Sequence, residues 1–178
     1  MRIISGKYKG KRLVAPKKLP VRPTTDFAKE ALFNILMHRF NFDEISLLDL
    51  YAGTGNISYE FGSRGTKDIT AIDSYYGCVK YINSISEELN FSIKTIKSDV
   101  LKYLGSTVTK SSVVFADPPY NISMDAFMLI INTVFNRDLL HEEGLLIIEH
   151  SKHTDLSRNP HFTDARRYGG SVFSFFEK

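Results

Sequence analysis

Four consecutive residues, Asp117-Pro118-Pro119-Tyr120, have the composition of a rigid hydrogen-bond acceptor site. Proline fixes its backbone φ angle and lacks an N–H donor, so the two prolines leave a carboxylate and bare carbonyl oxygens in a stiff loop. Such acceptors can hold the hydrogens of an amino group on a flat ring and localise its lone pair toward an electrophile. The ring of Tyr120 can stack on a base, which is worth about 1–3 kcal/mol. A plain structural turn is the alternative interpretation, because Pro-Pro is common in loops.

A second candidate group is Gly53-Thr54-Gly55, which follows the apolar run at residues 47–51. Glycines after a first strand let the backbone turn tightly and approach a ligand closely. Asp73 lies 18 residues after Gly55 and ends the next apolar run, where a carboxylate can accept both hydroxyls of a ribose. The alternatives are a plain strand-to-helix turn for the glycines and a helix cap for Asp73. A dinucleotide fingerprint would require glycine at position 58, which is Ser58.

The elements that must position these residues alternate between strands and helices. The apolar patterns predict strands at 47–51, 69–72, 92–96, 113–116 and 145–148, and helices up to Phe40, up to Arg64, at 75–90 and at 124–136. Thr24 or Thr25 caps the first helix, and the chain ends in a hairpin. This alternation predicts an α/β domain built on a parallel sheet with helices on both faces. Ligands bind beyond the carboxyl ends of the strands in such sheets, so the glycine loop and Asp49, Asp73, Asp99 and Asp117 are expected at one edge.

The first 25 residues carry eight Lys or Arg side chains and no Asp or Glu, although the net charge of the whole chain is only +3. Apolar residues and two glycines interrupt this basic run, which predicts an ordered hairpin with strands at 2–5 and 11–15. Concentrated basic charge binds a polyanion, since phosphate contacts release condensed counterions. A solvated arm, or an arm paired with the acidic body of the protein, is the alternative. We place the domain boundary near residue 20, between a hairpin extension at 1–20 and one α/β domain at 21–178.

The composition excludes several classes of protein. A length of 178 residues with 43% hydrophobic and 24% charged residues is typical of one globular domain, not of a disordered or fibrous chain. No apolar run approaches the roughly 20 residues that span a bilayer, and no signal peptide is evident. The single cysteine, Cys78, cannot form an internal disulfide. We therefore expect a cytoplasmic protein without a metal site, of a size and charge that allow a monomer.

Taken together, these motifs resemble those of S-adenosylmethionine-dependent amino methyltransferases. The run from Asp49 to Gly55, followed by Asp117-Pro118-Pro119-Tyr120, carries that resemblance. The sequence is closer still to the bacterial 16S rRNA guanine-N2 methyltransferase family of the RsmD type. That likeness rests on Arg2-Ile3-Ile4 with Gly6, Gly10 and Leu13, on Arg22-Pro23-Thr24-Thr25-Asp26 before Glu30-Ala31-Leu32-Phe33-Asn34, and on Ser63-Arg64-Gly65. The match covers nearly the whole chain. It departs from the family pattern at Ser58, Asp73 and Phe27, where the family usually has Gly, Glu and Arg.

The resemblance implies a Rossmann-like class I methyltransferase fold, with a mostly parallel seven-stranded sheet and a small N-terminal β-hairpin. It implies transfer of a methyl group from S-adenosylmethionine to the exocyclic N2 of a guanine in 16S rRNA, alone or within the small ribosomal subunit. The catalytic residues would be Asp117, Pro118 and Tyr120. The cofactor-binding residues would be Asp49, Tyr51, Gly53, Thr54, Gly55, Asp73, Asp99 and Val100. The RNA-binding residues would be Lys7, Lys9, Lys11, Arg12, Arg22 and Thr25.

Three other functions compete with this one. A DNA methyltransferase acting on adenine N6 or cytosine N4 uses the same chemistry, but most carry a target-recognition domain for which this chain has little room. A nicotinamide oxidoreductase fits the glycine loop and leaves Asp117-Pro118-Pro119-Tyr120 unexplained. A non-catalytic rRNA-binding module could retain the same fold.

Overall fold

Short strands and amphipathic helices alternate along the chain, as the apolar pattern predicts. The structure is a computed structural model that describes residues 1–16, 19 and 24–178. Its helices are α1 (Asp26–Leu36), α2 (Asn56–Arg64), α3 (Tyr76–Glu88), α4 (Val100–Ser106) and α5 (Met124–Asn136). Its strands are β1 (Ser46–Leu50), β2 (Asp68–Asp73), β3 (Ile93–Lys97), β4 (Ser111–Ala116), β5 (Leu140–Ser151), β6 (Phe162–Tyr168) and β7 (Ser171–Phe176).

The described strands form one seven-stranded sheet in the order β3-β2-β1-β4-β5-β7-β6. The pairs from β3 to β5 are parallel, whereas β7 is antiparallel to both β5 and β6. Because β1, β2, β4 and β5 run in one direction, their carboxyl ends meet at a single edge of the sheet. The strand order reverses direction between β1 and β4, which is where α/β sheets bind ligands.

Successive residues of the central strands enter two separate cores, one on each face of the sheet. Leu47 and Phe115 pack with α1, α2 and α3 on the first face. Leu48 and Val114 pack with α4 and α5 on the second face. Each such side chain contributes about 1.5–3 kcal/mol when it leaves water. Two-sided burial explains why these strands appear in the sequence as continuous apolar runs rather than as alternating ones.

The N-terminal segment forms the predicted hairpin, but its two expected strands reduce to one antiparallel bridge between Arg2 and Arg12. Next to that bridge, the N–H of Leu13 donates to the carbonyl of Met1 at 3.0 Å. Ile3 and Leu13 are buried in the same core as α1, α2 and α3. The boundary predicted near residue 20 falls between Pro20 and Val21, outside the described residues.

Contacts with α2 explain why the hairpin ladder is so short. The N–H groups of Ile4 and Ser5 donate to the carboxylate of Glu60 at 2.9 and 3.0 Å. The N–H of Lys7 donates to the carbonyl of Ser63 at 2.7 Å. Backbone donors between the two arms of the hairpin are therefore satisfied by α2, so they do not extend the ladder.

A buried ion pair fixes the hairpin to the domain. The side chains of Lys29 and Glu60 are both fully buried, with Nζ and Oε2 3.4 Å apart. Lys29 also donates to the carbonyl of Arg2 at 2.6 Å and to Oδ1 of Asn56 at 2.8 Å. Burial lowers the pKa of Lys29, although the adjacent Glu60 carboxylate acts in the opposite direction. Removing one partner of such a pair costs about 3–5 kcal/mol, because the remaining charge stays buried.

The structure differs from the predicted elements at three places. α1 ends at Leu36 rather than at Phe40, which packs as a half-buried side chain against the core. β5 begins at Leu140 rather than at Leu145, and Gly144 lies within it instead of before it. α4 was not predicted, because seven residues ending in Leu-Gly-Ser are too short to show a helical period. In the described part of the chain, no helix has the length and apolar character needed to span a bilayer.

Candidate active site

A cleft of about 250 Å³ opens at the carboxyl edge of the sheet. The loops after β1, β2 and β4 meet there, so the glycine loop, Asp73 and the Asp117–Tyr120 loop line one space. These groups come from three separated stretches of sequence, and the parallel sheet brings them together. The residues lining the cleft are Thr24, Asp49, Tyr51, Ala52, Gly53, Thr54, Asn56, Ile57, Asp73, Ser74, Phe115, Asp117, Pro118, Pro119, Tyr120 and Glu149.

The loop after β1 requires glycine for its backbone conformation. Gly53 and Gly55 have φ angles of +55° and +78°, in the left-handed region that side chains with a Cβ rarely adopt. A Cβ on Gly55 would also lie 2.8 Å from the ring of Tyr59. Gly53 and Thr54 line the cleft, whereas Gly55, which was predicted to bind the cofactor, does not, and the helix α2 begins immediately after it.

Asp73 ties the glycine loop to the end of β2. Its Oδ2 accepts a hydrogen bond from the N–H of Gly53 at 2.8 Å, and its Oδ1 accepts one from the N–H of Tyr75 at 2.8 Å. Neither bond caps α3, whose N-cap residue is Tyr75. The carboxylate is thus oriented by two backbone donors at the position where a ribose is expected.

Asp49 is an acid of the cleft whose pKa is strongly raised. Its side chain is 2% exposed, and burial raises the pKa of its carboxyl to about 7. Two hydrogen bonds from Ser58 oppose this shift: the hydroxyl donates to Oδ2 at 2.6 Å and the N–H donates to the same oxygen at 3.2 Å. In this chain, Ser58 therefore stabilises the ionised form of Asp49.

The Asp117–Tyr120 loop continues directly from β4. The N–H of Asp117 donates to the carbonyl of Leu50 at 3.3 Å, which extends the pairing of β4 with β1 by one residue. The N–H of Ile122 donates to the carbonyl of Pro119 at 3.0 Å and closes the turn before α5. Pro118 is buried, while the side chain of Tyr120 is 47% exposed at the cleft. An aromatic ring at the rim of the cleft is available to stack on a planar ligand.

Three of the cleft residues that sequence reasoning missed form a chain of hydrogen bonds. The hydroxyl of Thr24 donates to Oε2 of Glu149 at 2.8 Å, and Nδ2 of Asn56 donates to the carbonyl of Thr24 at 3.3 Å. Lys29 connects this chain to the hairpin, because it donates both to Oδ1 of Asn56 and to the carbonyl of Arg2. One signal was visible in the sequence, because Glu149 follows the apolar run 145–148 without a break.

Asp99 and Val100, which the resemblance assigns to the adenine, do not line the cleft. The side chain of Asp99 is exposed and caps α4 by accepting the N–H of Lys102 at 2.9 Å, and Val100 belongs to the second core. Asp99 does lie close enough to Tyr51 to raise the pKa of that cleft residue, which burial and this charge together bring to about 12. Their role toward an adenine remains a prediction.

The hairpin cations predicted to bind RNA, Lys7, Lys9, Lys11 and Arg12, are exposed. Lys11 forms an ion pair with Glu88 at 2.6 Å. Thr25 caps α1 by accepting the N–H of Ala28 at 3.2 Å. Arg12 and Thr25 border a surface depression whose wall includes Thr24, which also lines the cleft. The predicted residue Arg22 lies outside the described residues.

Comparisons with known proteins agree with this architecture. The model of the family described as "Conserved hypothetical protein 95" matches residues 1–177. The chain is 29% identical to Bacillus subtilis YlbH over 161 residues, which cover 88% of this chain and 85% of that protein. It is also 29% identical to "Ribosomal RNA small subunit methyltransferase D" of Escherichia coli K12 over 157 residues, which cover 84% of this chain and 74% of the relative.

Two solved structures show the same fold. "Hypothetical protein TTHA0928" of Thermus thermophilus superposes with a TM-score of 0.86 at 23% identity, covering 100% of this chain and 99% of that one. The 16S rRNA N2 methyltransferase RsmC of Thermus thermophilus, solved with AdoMet and guanosine, superposes with a TM-score of 0.72 at 17% identity, covering 90% of this chain and 45% of that one. The chain has the Rossmann-like class I methyltransferase fold and belongs to the family of conserved hypothetical protein 95, the RsmD family.

Proposed function

We propose that this protein transfers a methyl group from S-adenosylmethionine to the exocyclic N2 of a guanine in 16S rRNA. The observation that carries the proposal is the shared cleft, in which the glycine loop and Asp73 face the Asp117–Tyr120 loop. Membership of a family whose curated relatives are named small-subunit rRNA methyltransferases supports the substrate class. A cytoplasmic location follows from that substrate and is part of the proposal.

The residues on the β1–β2 side of the cleft fit S-adenosylmethionine. Gly53 and Thr54 line the cleft, and Gly55 next to them has no room for a side chain, because a Cβ there would collide with Tyr59. Asp73 is held by two backbone donors and can accept ribose hydroxyls. Asp49 is a buried carboxylate that would gain from a cationic partner such as the ammonium group of an amino acid. When bound, this cofactor supplies a methyl group on a sulfonium cation, which is an electrophile.

The residues on the β4 side fit a planar base that carries an amino group. The carboxylate of Asp117 and the carbonyl of Pro118 can each accept one amino hydrogen, which localises the nitrogen lone pair toward the methyl group. The nitrogen becomes positively charged as its bond to the methyl carbon forms and the carbon–sulfur bond breaks, and Asp117 stabilises that charge until the nitrogen releases a proton. Positioning supplies much of the rate, because bound reactants behave as an intramolecular pair. The base must be unpaired or flipped out of a helix to enter the cleft.

The hairpin is proposed as the RNA-binding arm. Exposed cations lie on it, and the buried ion pair of Lys29 and Glu60 attaches it to the domain. The depression beside Arg12 and Thr25 adjoins the cleft through Thr24. Phosphates bound along the hairpin would therefore run beside the cleft, so that a splayed base could enter it while the backbone stays on the cations. The cations concerned are Lys7, Lys9, Lys11 and Arg12.

Mass spectrometry of nucleosides tests the proposal. Incubation of the protein and S-adenosylmethionine with 16S rRNA, either naked or within the small subunit, should yield N2-methylguanosine. Duplex DNA incubated in parallel should stay unmodified. N6-methyladenine or N4-methylcytosine in the DNA would instead establish a DNA amino methyltransferase. Tight rRNA binding without any methylated product would identify a non-catalytic rRNA-binding module.

Replacement of Asp117 by alanine tests the assigned site. We expect transfer to fall by about 100- to 1,000-fold or more, because a group that stabilises the transition state is lost. Calorimetry should show that S-adenosylmethionine still binds. Asp68→Ala is the matched control, since Asp68 is an exposed carboxylate at the opposite end of β2. Full turnover by the Asp117→Ala protein would exclude Asp117 from the reaction.

A further inference from the structure

Glu149 is a buried carboxylate of the cleft that the proposed transfer does not yet use. Its side chain is 3% exposed and lies in β5, directly after four apolar residues. Burying a carboxylate there costs free energy unless hydrogen bonds compensate for the lost water. The hydroxyl of Thr24 supplies one such bond at 2.8 Å.

The sheet register brings Glu149 next to Asp117. Ala116 of β4 is paired with Ile148 of β5, so Asp117 and Glu149 are the following residues on adjacent parallel strands. Adjacent strands lie about 4.8 Å apart, so both side chains can reach the same edge of one base. Both residues line the same cleft. A base whose amino group reaches Asp117 and the Pro118 carbonyl would therefore present its next ring atom toward Glu149.

The chemistry of that ring atom differs among the three bases that carry an amino group. In guanine, the carbon that bears the amino group lies between N1, which bears a hydrogen, and N3, which bears a lone pair. In adenine and in cytosine, the only ring nitrogen beside that carbon is N1 and N3, respectively, and each bears a lone pair. A carboxylate accepts hydrogen bonds only, so it attracts the guanine N1–H and repels the lone pairs of the other two bases.

We propose that Glu149 accepts the N1–H of the target guanine and thereby selects guanine over adenine and cytosine. This inference rests on the proposed function and specifies its substrate. Thr24 orients the carboxylate, and Asn56 and Lys29 connect Thr24 to the hairpin. Glu149 is thus a specificity-determining residue that contacts the base, while Asp117 and Pro118 hold the amino group.

The first test compares Glu149→Gln with wild type under single-turnover conditions, with 16S rRNA as substrate and N2-methylguanosine as product. Loss of the charged acceptor should slow transfer by roughly 10- to 100-fold. Binding of S-adenosylmethionine and the melting temperature should match those of wild type. Glu142→Gln is the control, since Glu142 is an exposed carboxylate on the same strand. Transfer at the wild-type rate by Glu149→Gln would overturn the inference.

The second test changes the substrate and therefore does not depend on the folding of any variant. Full-length 16S rRNA is ligated with 2-aminopurine at the mapped target position. This base keeps the amino group, replaces N1–H by a lone pair and lacks the 6-oxygen; the comparison of wild type with Glu149→Gln separates the change at N1 from the loss of that oxygen. Wild type should methylate this RNA at least roughly tenfold more slowly than the guanine RNA. The amide of glutamine can donate to this lone pair. In Glu149→Gln, the rate on guanine RNA divided by the rate on 2-aminopurine RNA should therefore be smaller than in wild type. Equal rates of wild type on the two RNAs, or an unchanged ratio in the variant, would overturn the inference. A wild-type protein that makes no N2-methylguanosine would instead refute the proposed function itself.

Discussion

Replacing Asp49 by asparagine should stabilise the free protein at alkaline pH and weaken its binding of S-adenosylmethionine. The unfolded chain ionises this carboxyl near its ordinary pKa of 3.8, whereas burial raises the pKa in the folded protein to about 7. Between these two values the folded state holds a proton that the unfolded state has released. The contribution of Asp49 to the free energy of unfolding therefore falls as the pH rises, until the pH passes the folded pKa.

The size of the effect follows from the two pKa values. A difference of about 3 pH units corresponds to about 4 kcal/mol of lost stability once both states are ionised. About half of that loss, roughly 2 kcal/mol, falls between about pH 5.5 and about pH 8.5. Asparagine does not titrate and can still accept both bonds from Ser58 through its amide oxygen. The stability advantage of Asp49→Asn over wild type should therefore grow by roughly 2 kcal/mol across this range.

Urea denaturation of both proteins at several pH values measures this difference directly. Titrations elsewhere in the molecule cancel, because they contribute equally to wild type and variant. Asp68→Asn, which changes an exposed carboxylate, should show no comparable pH dependence. Under the proposed function, wild type should also bind S-adenosylmethionine more tightly as the pH rises through about 7, while Asp49→Asn should not. A stability difference that stays constant across the range would refute the reasoning, because Asp49 would then be ionised in the fold already at low pH.

Three further predictions concern the loop, the hairpin and the RNA. Ser58→Ala removes the hydroxyl that donates to Asp49, so the pKa of Asp49 should rise. Calorimetry should then show that S-adenosylmethionine binding requires a higher pH than in wild type. An unchanged midpoint of the pH dependence of binding would contradict this prediction. Gly6→Ala puts a Cβ 1.9 Å from the carbonyl of Ser63, whereas Gly10 at a similar φ has open space around it. Urea denaturation should therefore show that Gly6→Ala lowers the free energy of unfolding by at least about 1 kcal/mol more than Gly10→Ala does. Equal decreases for the two variants would disprove the close contact of Gly6 with Ser63. Replacing the exposed hairpin cations by glutamine should weaken rRNA binding. The slope of log binding constant against log salt concentration should become shallower by about 0.7–0.9 per lost phosphate contact. Unchanged affinity at both low and high salt would show that the hairpin is not the RNA arm. The cations are Lys7, Lys9, Lys11 and Arg12.

The residues at the strand ends could be predicted because their positions depend on local sequence and one general rule. Apolar runs located β1, β2 and β4, and parallel strands must end at the same edge of the sheet. Gly53, Asp73 and Asp117 therefore had to meet, whatever the details of the helices between them. The helix α5 was also predicted at its observed bounds, because its apolar face repeats over several turns.

The residues that sequence reasoning missed depend on contacts between distant stretches. Thr24 and Glu149 are 125 residues apart, and no periodic pattern records that one donates to the other. Lys29 has the sequence context of a solvent-facing lysine on an amphipathic helix, yet its side chain is fully buried against Glu60. Such pairs follow from the way α1, α2 and the hairpin pack together, which is decided only by the tertiary structure.

The anchoring of the hairpin to α2 has a consequence for the order of events on the ribosome. The N–H groups of Ile4 and Ser5 cannot donate to the carboxylate of Glu60 until that residue, 56 and 55 positions further along the chain, has been synthesised. At about 5–20 residues per second, that delay lasts about 3–11 s. During this interval the nascent chain exposes a strongly cationic segment, with its acidic counterpart not yet made, in the immediate vicinity of ribosomal RNA.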